Sequence, residues 1–169
     1  MAERIVYVNG KYEKESEAKV SVFDRGFLFA DAIYEVTAIV SDKIIEWDGH
    51  IKRLERSLNE LDMKMPMKSE DLLFIHRELI KKNNLKEGLI YLQISRGEAD
   101  RDFEYPDDEV KQTIVMFTQV KSLEESNIAK EGIKVISVPD IRWDRRDIKT
   151  VQLLPPSMCK MMAKKIGNK

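Results

Sequence analysis

Lys149 is a candidate amine nucleophile. It follows Arg142, Arg145 and Arg146, with Asp140, Asp144 and Asp147 interleaved. Nearby positive charge and partial burial both depress a lysine pKa, which is the preparation such a nucleophile needs. The same run also reads as a solvated stretch of mixed charge, and composition does not separate the two. A second candidate lies around Tyr91. Period-2 alternation sets Tyr91, Gln93 and Ser95 on one face of a strand and Ile90, Leu92 and Ile94 on the other. Arg96-Gly97 ends that strand and Arg101 follows in a loop. Tyrosine and arginine at a strand end can grip a carboxylate through charge-assisted bonds. Taken alone, these residues fit a half-exposed sheet face with a solvated loop arginine better. Tyr34 shares a face with Val36, Ala38 and Val40, which is ordinarily a core position. Arg53 lies about 200° round its helix from Ile51, off the apolar stripe. His50 reads as a local hydrogen-bonding residue and His76 as a packed core histidine.

The scarce residues exclude several kinds of site. One cysteine, Cys159, rules out an intrachain disulfide and makes a cysteine zinc site implausible. Two histidines, neither in an HExxH pattern, argue against a multi-His metal centre, so no metal is expected. The seven glycines never form GxG, so Walker and Rossmann phosphate loops are absent. With 29 basic and 30 acidic residues the net charge is -1, and no bulk attraction toward nucleic acid or an anionic membrane is expected. The apolar runs are too short to span a bilayer, and the N-terminus lacks a signal-peptide core. A cytoplasmic protein follows as the default.

The elements that must position these residues read as follows. Arg4 to Tyr12 is a strand pattern broken by Asn9-Gly10, a strong hairpin signal. Ala18–Phe23 alternates, Ala32–Val40 is β-rich, and a turn at 41–43 leads into Ile44-Ile45-Glu46. The first quarter is therefore expected to be an antiparallel meander. Asp48 is a plausible N-cap for a helix with Ile51, Leu54, Leu58 and Leu61 in one stripe. Ser69 reads as the cap of a second helix carrying Leu72, Leu73, Ile75, Leu79 and Ile80. Strands are expected again at Leu89–Ser95, Gln112–Val120 and Ile133–Val138, and a last helix at 155–166 with Pro155-Pro156 in its first turn. Strands, two helices, then strands argue an α+β fold of antiparallel sheet and helices. Residues 1–121 read as an N-terminal domain, 122–132 as a linker, and 133–169 as the beginning of a second domain.

Taken in order, several segments resemble the fold-type IV pyridoxal-phosphate aminotransferases, and among them the D-amino acid (D-alanine) branch. They are Val20-Ser-Val-Phe-Asp-Arg-Gly-Phe, Ala32-Ile-Tyr-Glu-Val and His50-Ile-Lys-Arg-Leu-Glu-Arg-Ser. Ile90-Tyr-Leu-Gln-Ile-Ser-Arg-Gly, Arg101 before Tyr105-Pro106, Asp140-Ile-Arg-Trp and Asp147-Ile-Lys complete the set. The resemblance runs from about Ile5 to the C-terminus. It implies pyridoxal 5'-phosphate as cofactor, with Lys149 as the Schiff-base lysine and proton carrier. It implies that Arg53 contacts the cofactor phosphate, that Tyr34 and Tyr91 line the pocket, and that Arg101 belongs to the trap for the substrate carboxylate. Amino acid and 2-oxo acid would be the substrates, and the family is generally homodimeric. Branched-chain aminotransferases and aminodeoxychorismate lyases share the fold and are the alternatives within it. A non-catalytic α+β interaction module is the alternative outside it. Ala30 and Ala32 stand where relatives often have glycine, and Phe103 where the D-amino acid enzyme has histidine. Family members also continue past this point, with an acidic partner for the pyridine nitrogen and much of the phosphate-binding backbone. The expectation is therefore an incomplete fragment, inactive by itself.

Overall fold

The computed structural model describes residues 3–107, 109–126 and 130–167. Strand β1 (Ile5–Val8) turns at Asn9 and Gly10, both at positive φ, into β2 (Lys11–Lys14). Such a two-residue turn matches the right-handed strand twist. A short helix α1 (Arg25–Phe29) precedes β3 (Ala32–Val40) and β4 (Lys43–Ile44). Helices α2 (Trp47–Asn59) and α3 (Ser69–Lys82) follow, then β5 (Gly88–Ser95) and β6 (Thr113–Val120). Helix α4 (Leu154–Lys165) lies beyond.

The six strands form one antiparallel sheet in the order β2-β1-β6-β5-β3-β4. The fold is α+β, as expected, but its first quarter is not a continuous meander. The β1–β2 and β3–β4 hairpins stand at opposite edges, because β5 and β6 return to fill the space between them. Their long registers decide this: β3 pairs with β5 from Ala32 opposite Ser95 to Ile39 opposite Gly88, and β5 pairs with β6 over its whole length. One sheet face packs on α2 and α3. Ile33, Ile39, Ile90, Leu92, Ile94 and Met116 meet Leu54, Leu58, Leu72 and Leu79 there, all essentially without solvent exposure. Burying each such side chain is worth about 1.5–3 kcal/mol.

Two expected strands do not form. Ala18–Phe23 is irregular, with Val20, Val22 and Phe23 exposed. Asp24 takes over the local backbone: its N–H donates to Ser21 O, and its side chain accepts from Gly26 N at 2.8 Å, capping α1. Ile133–Val138 is also outside the sheet, with Ile133 and Val135 exposed. Alternation alone does not make a strand; a backbone ladder must receive it, and no strand among the described residues does. The helix starts also shift. Glu46, not Asp48, precedes α2, and Asp48 sits in its first turn. Lys68, not Ser69, occupies the N-cap position of α3, with no capping bond from its side chain, and Ser69 is the first helical residue.

Candidate active site

Strand β3 divides its side chains between two environments. Ile33, Glu35, Thr37 and Ile39 face the helices and are buried; Tyr34, Val36, Ala38 and Val40 are half-buried on the other face. Periodicity alone had this reversed, making Tyr34 a core position, whereas the resemblance put it in the pocket. Helix packing decides the face, and a buried glutamate is tolerated there because it has partners.

Residues 148–151 dock along the N-terminal end of β3. Thr150 bridges Ile33 antiparallel, Tyr34 N–H donates to Lys149 O at 3.0 Å, and Val151 N–H donates to Ala32 O at 3.3 Å. Ile148, 4% exposed, joins the main core. The lysine backbone is thus held on a sheet edge rather than on a free loop. Its Nζ donates to the Tyr34 hydroxyl at 2.9 Å and lies 4.2 Å from that ring's centroid. Tyr34 stacks on Tyr91 at 5.6 Å, and Tyr91 on Phe117 at 4.9 Å. Direct cross-strand pairing of Tyr91 with Phe117, and the diagonal neighbour relation to Tyr34, produce this ladder. Tyr91 donates to Gln93 Oε1 at 2.8 Å, and burial pushes its phenol up to about 12, so it stays protonated at neutral pH.

The arginines before Lys149 do not surround it with unpaired positive charge. Arg142 and Arg146 pair with Asp140, and Arg145 pairs with Asp147 and Glu60. The interleaved carboxylates of the same segment absorb the charge expected to bear on the amine. Asp140 itself is held well below the usual carboxylate range, chiefly by hydrogen bonds from the Arg142 side chain.

Helix α2, on the other face of the sheet, reaches the Lys149 backbone at the sheet edge. His50, Arg53 and Ser57 follow one another at spacings of three and four and so share a face. Ser57 Oγ lies 3.4 Å from Lys149 N, and Arg53 stands one turn earlier, about 6 Å along the axis. The Arg53 fork grips Glu35: Nε reaches Oε1 at 2.6 Å and Nη2 reaches Oε2 at 2.5 Å. His50 Nδ1 meets Oε2 at 2.7 Å. The Glu35 side chain is 3% exposed and that of Arg53 42%. The hydrogen bonds that Arg53 donates to Glu35 raise its own pKa further. His50 is the local hydrogen-bonding residue expected from sequence. Glu35 was missed, although a carboxylate alternating with Ile33, Thr37 and Ile39 is a legible sign of a buried charge needing a partner.

Arg101 is placed elsewhere. Its guanidinium lies over Phe29 at 5.3 Å and Phe103 at 5.6 Å, and neither contact is shared with Lys149, Tyr34 or Tyr91. The loop that carries it is fixed by a buried charge cluster. Asp31 Oδ2 accepts from Arg25 Nε and Arg96 Nε, both at 2.8 Å. Arg25 also donates to the carbonyls of Asp102 and Glu104, and the Arg96 guanidinium sits 3.6 Å from the Tyr105 ring centroid. An open cavity of about 1070 Å³ lies near this loop, lined by Tyr7, Met63, Met65, Arg96 and Val110 among others, but by none of the residues around Lys149. Among the described residues no cluster of metal-ligating side chains occurs, and no helix is long and apolar enough to cross a membrane.

Comparison with known proteins gives a consistent family. The sequence pattern of amino-transferase class IV matches residues 32–168. D-alanine aminotransferase of Staphylococcus haemolyticus is 38% identical over 160 residues, which is 95% of this chain and 56% of that protein. The branched-chain amino acid aminotransferase of Escherichia coli superposes with a TM-score of 0.79 at 16% identity, covering 98% of this chain and 56% of the other. A putative 4-amino-4-deoxychorismate lyase from Legionella pneumophila superposes at 0.77 with 21% identity, covering 91% of this chain and 56% of that one. The structural matches bear on fold alone, and the chain spans little more than half the length of the curated relatives it matches. On the family match over most of its length, the chain belongs to the class IV amino-transferases.

Proposed function

We propose that this chain carries the lysine-bearing part of a pyridoxal 5'-phosphate-dependent transaminase, cytoplasmic and homodimeric, acting between a D-amino acid such as D-alanine and a 2-oxo acid. The observation that carries the reading is Lys149, whose amine meets the Tyr34 phenol instead of a carboxylate, on a backbone pinned to β3. A carboxylate partner would hold the amine in an ion pair; a phenol oxygen holds it in place by a hydrogen bond alone.

The residues present fit the cofactor. An aromatic aldehyde bearing a phosphate calls for an amine, a cation and a flat apolar wall, and Lys149, Arg53 and the Tyr34–Tyr91 stack supply these. When bound, pyridoxal phosphate provides the carbonyl carbon and an electron-withdrawing ring that takes up the charge left when a Cα proton departs. Lys149 Nζ is the group that takes that proton and returns it, and Tyr34 fixes where Nζ rests. Tyr91 remains a neutral phenol against Tyr34. Arg53, on the face of α2 next to Lys149, holds the phosphate. Arg101 stands apart from Lys149 within one chain, so its hold on the substrate carboxylate is assigned to the second copy of the homodimer. Phe103, exposed against Arg101, and the exposed Tyr105 ring two residues on in the same loop form the kind of apolar surface that a second copy covers.

The test is the visible spectrum of the purified chain with pyridoxal phosphate, beside Lys149→Ala, followed by borohydride reduction and peptide mapping. A band that depends on Lys149, with the label fixed on that residue, supports the reading; no such band refutes it for this chain. Amino transfer from D-alanine to a 2-oxo acid is then assayed against pyruvate release from aminodeoxychorismate without an acceptor, which would mark a lyase instead.

A further inference from the structure

We infer that Glu35 is a positioning residue for phosphate recognition: its buried carboxylate holds the Arg53 fork in one rotamer, leaving Nη1 to meet the phosphoryl oxygens. The inference rests on the proposed role of Arg53 and extends it to a residue that touches no ligand. Glu35 and Tyr34 are consecutive on β3, so they leave the sheet on opposite faces. A single peptide unit therefore fixes both the phenol that holds Lys149 Nζ and the carboxylate that holds Arg53.

The arrangement is rigid on the glutamate side and mobile on the arginine side. Glu35 stands between Ile33 and Thr37, both at most 1% exposed, and it pairs with Leu92 across the sheet. Arg53 sits on a helix surface with its side chain 42% exposed, where a free arginine samples many rotamers. Nε and Nη2 are both committed to the two Glu35 oxygens, which fixes the guanidinium plane as well as its position. His50, three residues earlier on α2, closes the remaining side of Oε2 at 2.7 Å and keeps the carboxylate from rotating out of that plane.

A second effect opposes the first. The Glu35 charge offsets part of the Arg53 charge and on electrostatic grounds alone weakens attraction for an anion. Positioning and charge masking therefore predict opposite signs when Glu35 is neutralised, and this makes the inference testable.

The measurement is the ratio of dissociation constants of the full chain for pyridoxal and for pyridoxal 5'-phosphate, followed by absorbance in wild type, Glu35→Gln and Arg53→Met. The ratio isolates recognition of the phosphate from everything common to the two ligands, including general loosening of the fold. Glu35→Gln is expected to lower it about tenfold, the order expected when a long side chain must be immobilised on binding, with the pyridoxal constant little changed. Arg53→Met is expected to lower it at least as far. An unchanged or higher ratio in Glu35→Gln, with a collapsed ratio in Arg53→Met, overturns the positioning role and leaves the phosphate role of Arg53 standing. An unchanged ratio in both overturns both. If Glu35→Gln does not fold, Glu35→Asp takes its place. It keeps the buried charge but is one methylene short of the fork, and the same loss or its absence decides the matter.

Discussion

Asp31 should be among the costliest single residues to replace, and the structure sets the size of the effect. Its carboxylate is 8% exposed, and one oxygen serves two buried guanidiniums, Arg25 at 3% and Arg96 at 10% side-chain exposure. Asp31→Ala leaves both cations without a counter-ion in a place that water barely reaches. Removing one partner of a buried ion pair costs about 3–5 kcal/mol. Here the remaining acceptors hold the figure to the low end: Arg25 keeps the Asp102 and Glu104 carbonyls, and Arg96 keeps Leu61 O at 2.6 Å and the Tyr105 face. The expected loss is therefore about 3 kcal/mol for alanine, and about 2 kcal/mol for asparagine, which retains an uncharged acceptor. In urea, with m of about 1–3 kcal/mol/M, alanine should lower the midpoint by at least about 1 M. Arg96→Met in the Asp31→Ala background should recover part of the loss, because one uncompensated charge is gone. Amide exchange should accelerate first in the loop around Arg101, whose carbonyls Arg25 holds. An Asp31→Asn chain within about 0.5 kcal/mol of wild type would refute the reasoning, as would an alanine variant no worse than asparagine.

Two further outcomes follow from single positions. His76 is 1% exposed, bonds Leu72 O at 2.8 Å and meets Trp47 edge-on, and burial lowers its pKa from 6.5 to about 4. The folded chain therefore binds this proton later than the unfolded chain. Stability should be intact above pH 6.5 and fall by up to about 3 kcal/mol as pH drops toward 4, a slope that urea midpoints would show and that His76→Leu should flatten. Gly97 has φ +108°, and a Cβ there would stand 2.2 Å from Lys111 O. Gly97→Ala should cost more than about 1 kcal/mol through strain and displacement of the 111 backbone, read as a lower thermal midpoint; an unchanged midpoint would mean the turn relaxes freely.

Much of this fold is legible from local chemistry. Asn9-Gly10 dictates its turn by positive φ, and the stripes of α2 and α3 and the alternation of β5 dictate which faces are buried. What fails is what depends on a partner distant in sequence. Ala18–Phe23 and Ile133–Val138 have the right alternation, yet the sheet's edges are filled by β2 and β4, with residues 148–151 against β3. On β3 both faces carry apolar residues, so periodicity alone does not say which one meets the helices; read without the resemblance, it chose the face of Tyr34. That choice hid Glu35, since a carboxylate assigned to the outer face raises no question. The candidate residues Lys149, Tyr34 and Tyr91 do converge, and Arg53 stands one helical turn away. Sequence spacing offers no hint of the first contact, because 115 residues separate Lys149 from Tyr34. Arg101 does not join them within this chain.

The docking of residues 148–151 is the weakest link in this convergence, and its energetics can be followed. The backbone bonds from Tyr34 to Lys149 and from Val151 to Ala32 are worth about 1 kcal/mol each, and the second is long. The Ser57 contact to Lys149 N is longer still, and the ion pairs of Arg145 with Glu60 and Asp147 are exposed and contribute little. Burial of Ile148, with Trp143 packed on the same core, therefore supplies most of what holds the lysine in place. Ile148→Ala removes about 2–4 kcal/mol, at least as much as the two backbone bonds to β3 together. The segment should then open while the sheet and both long helices stay folded. Hydrogen exchange at the Tyr34 and Val151 amides should rise at least tenfold above that of the central β5 amides. Borohydride trapping of pyridoxal phosphate on Lys149 should weaken in parallel. If those two amides instead keep exchanging only with the β5 amides, the segment is part of the global folding unit. The lysine would then be held by the whole core rather than by Ile148.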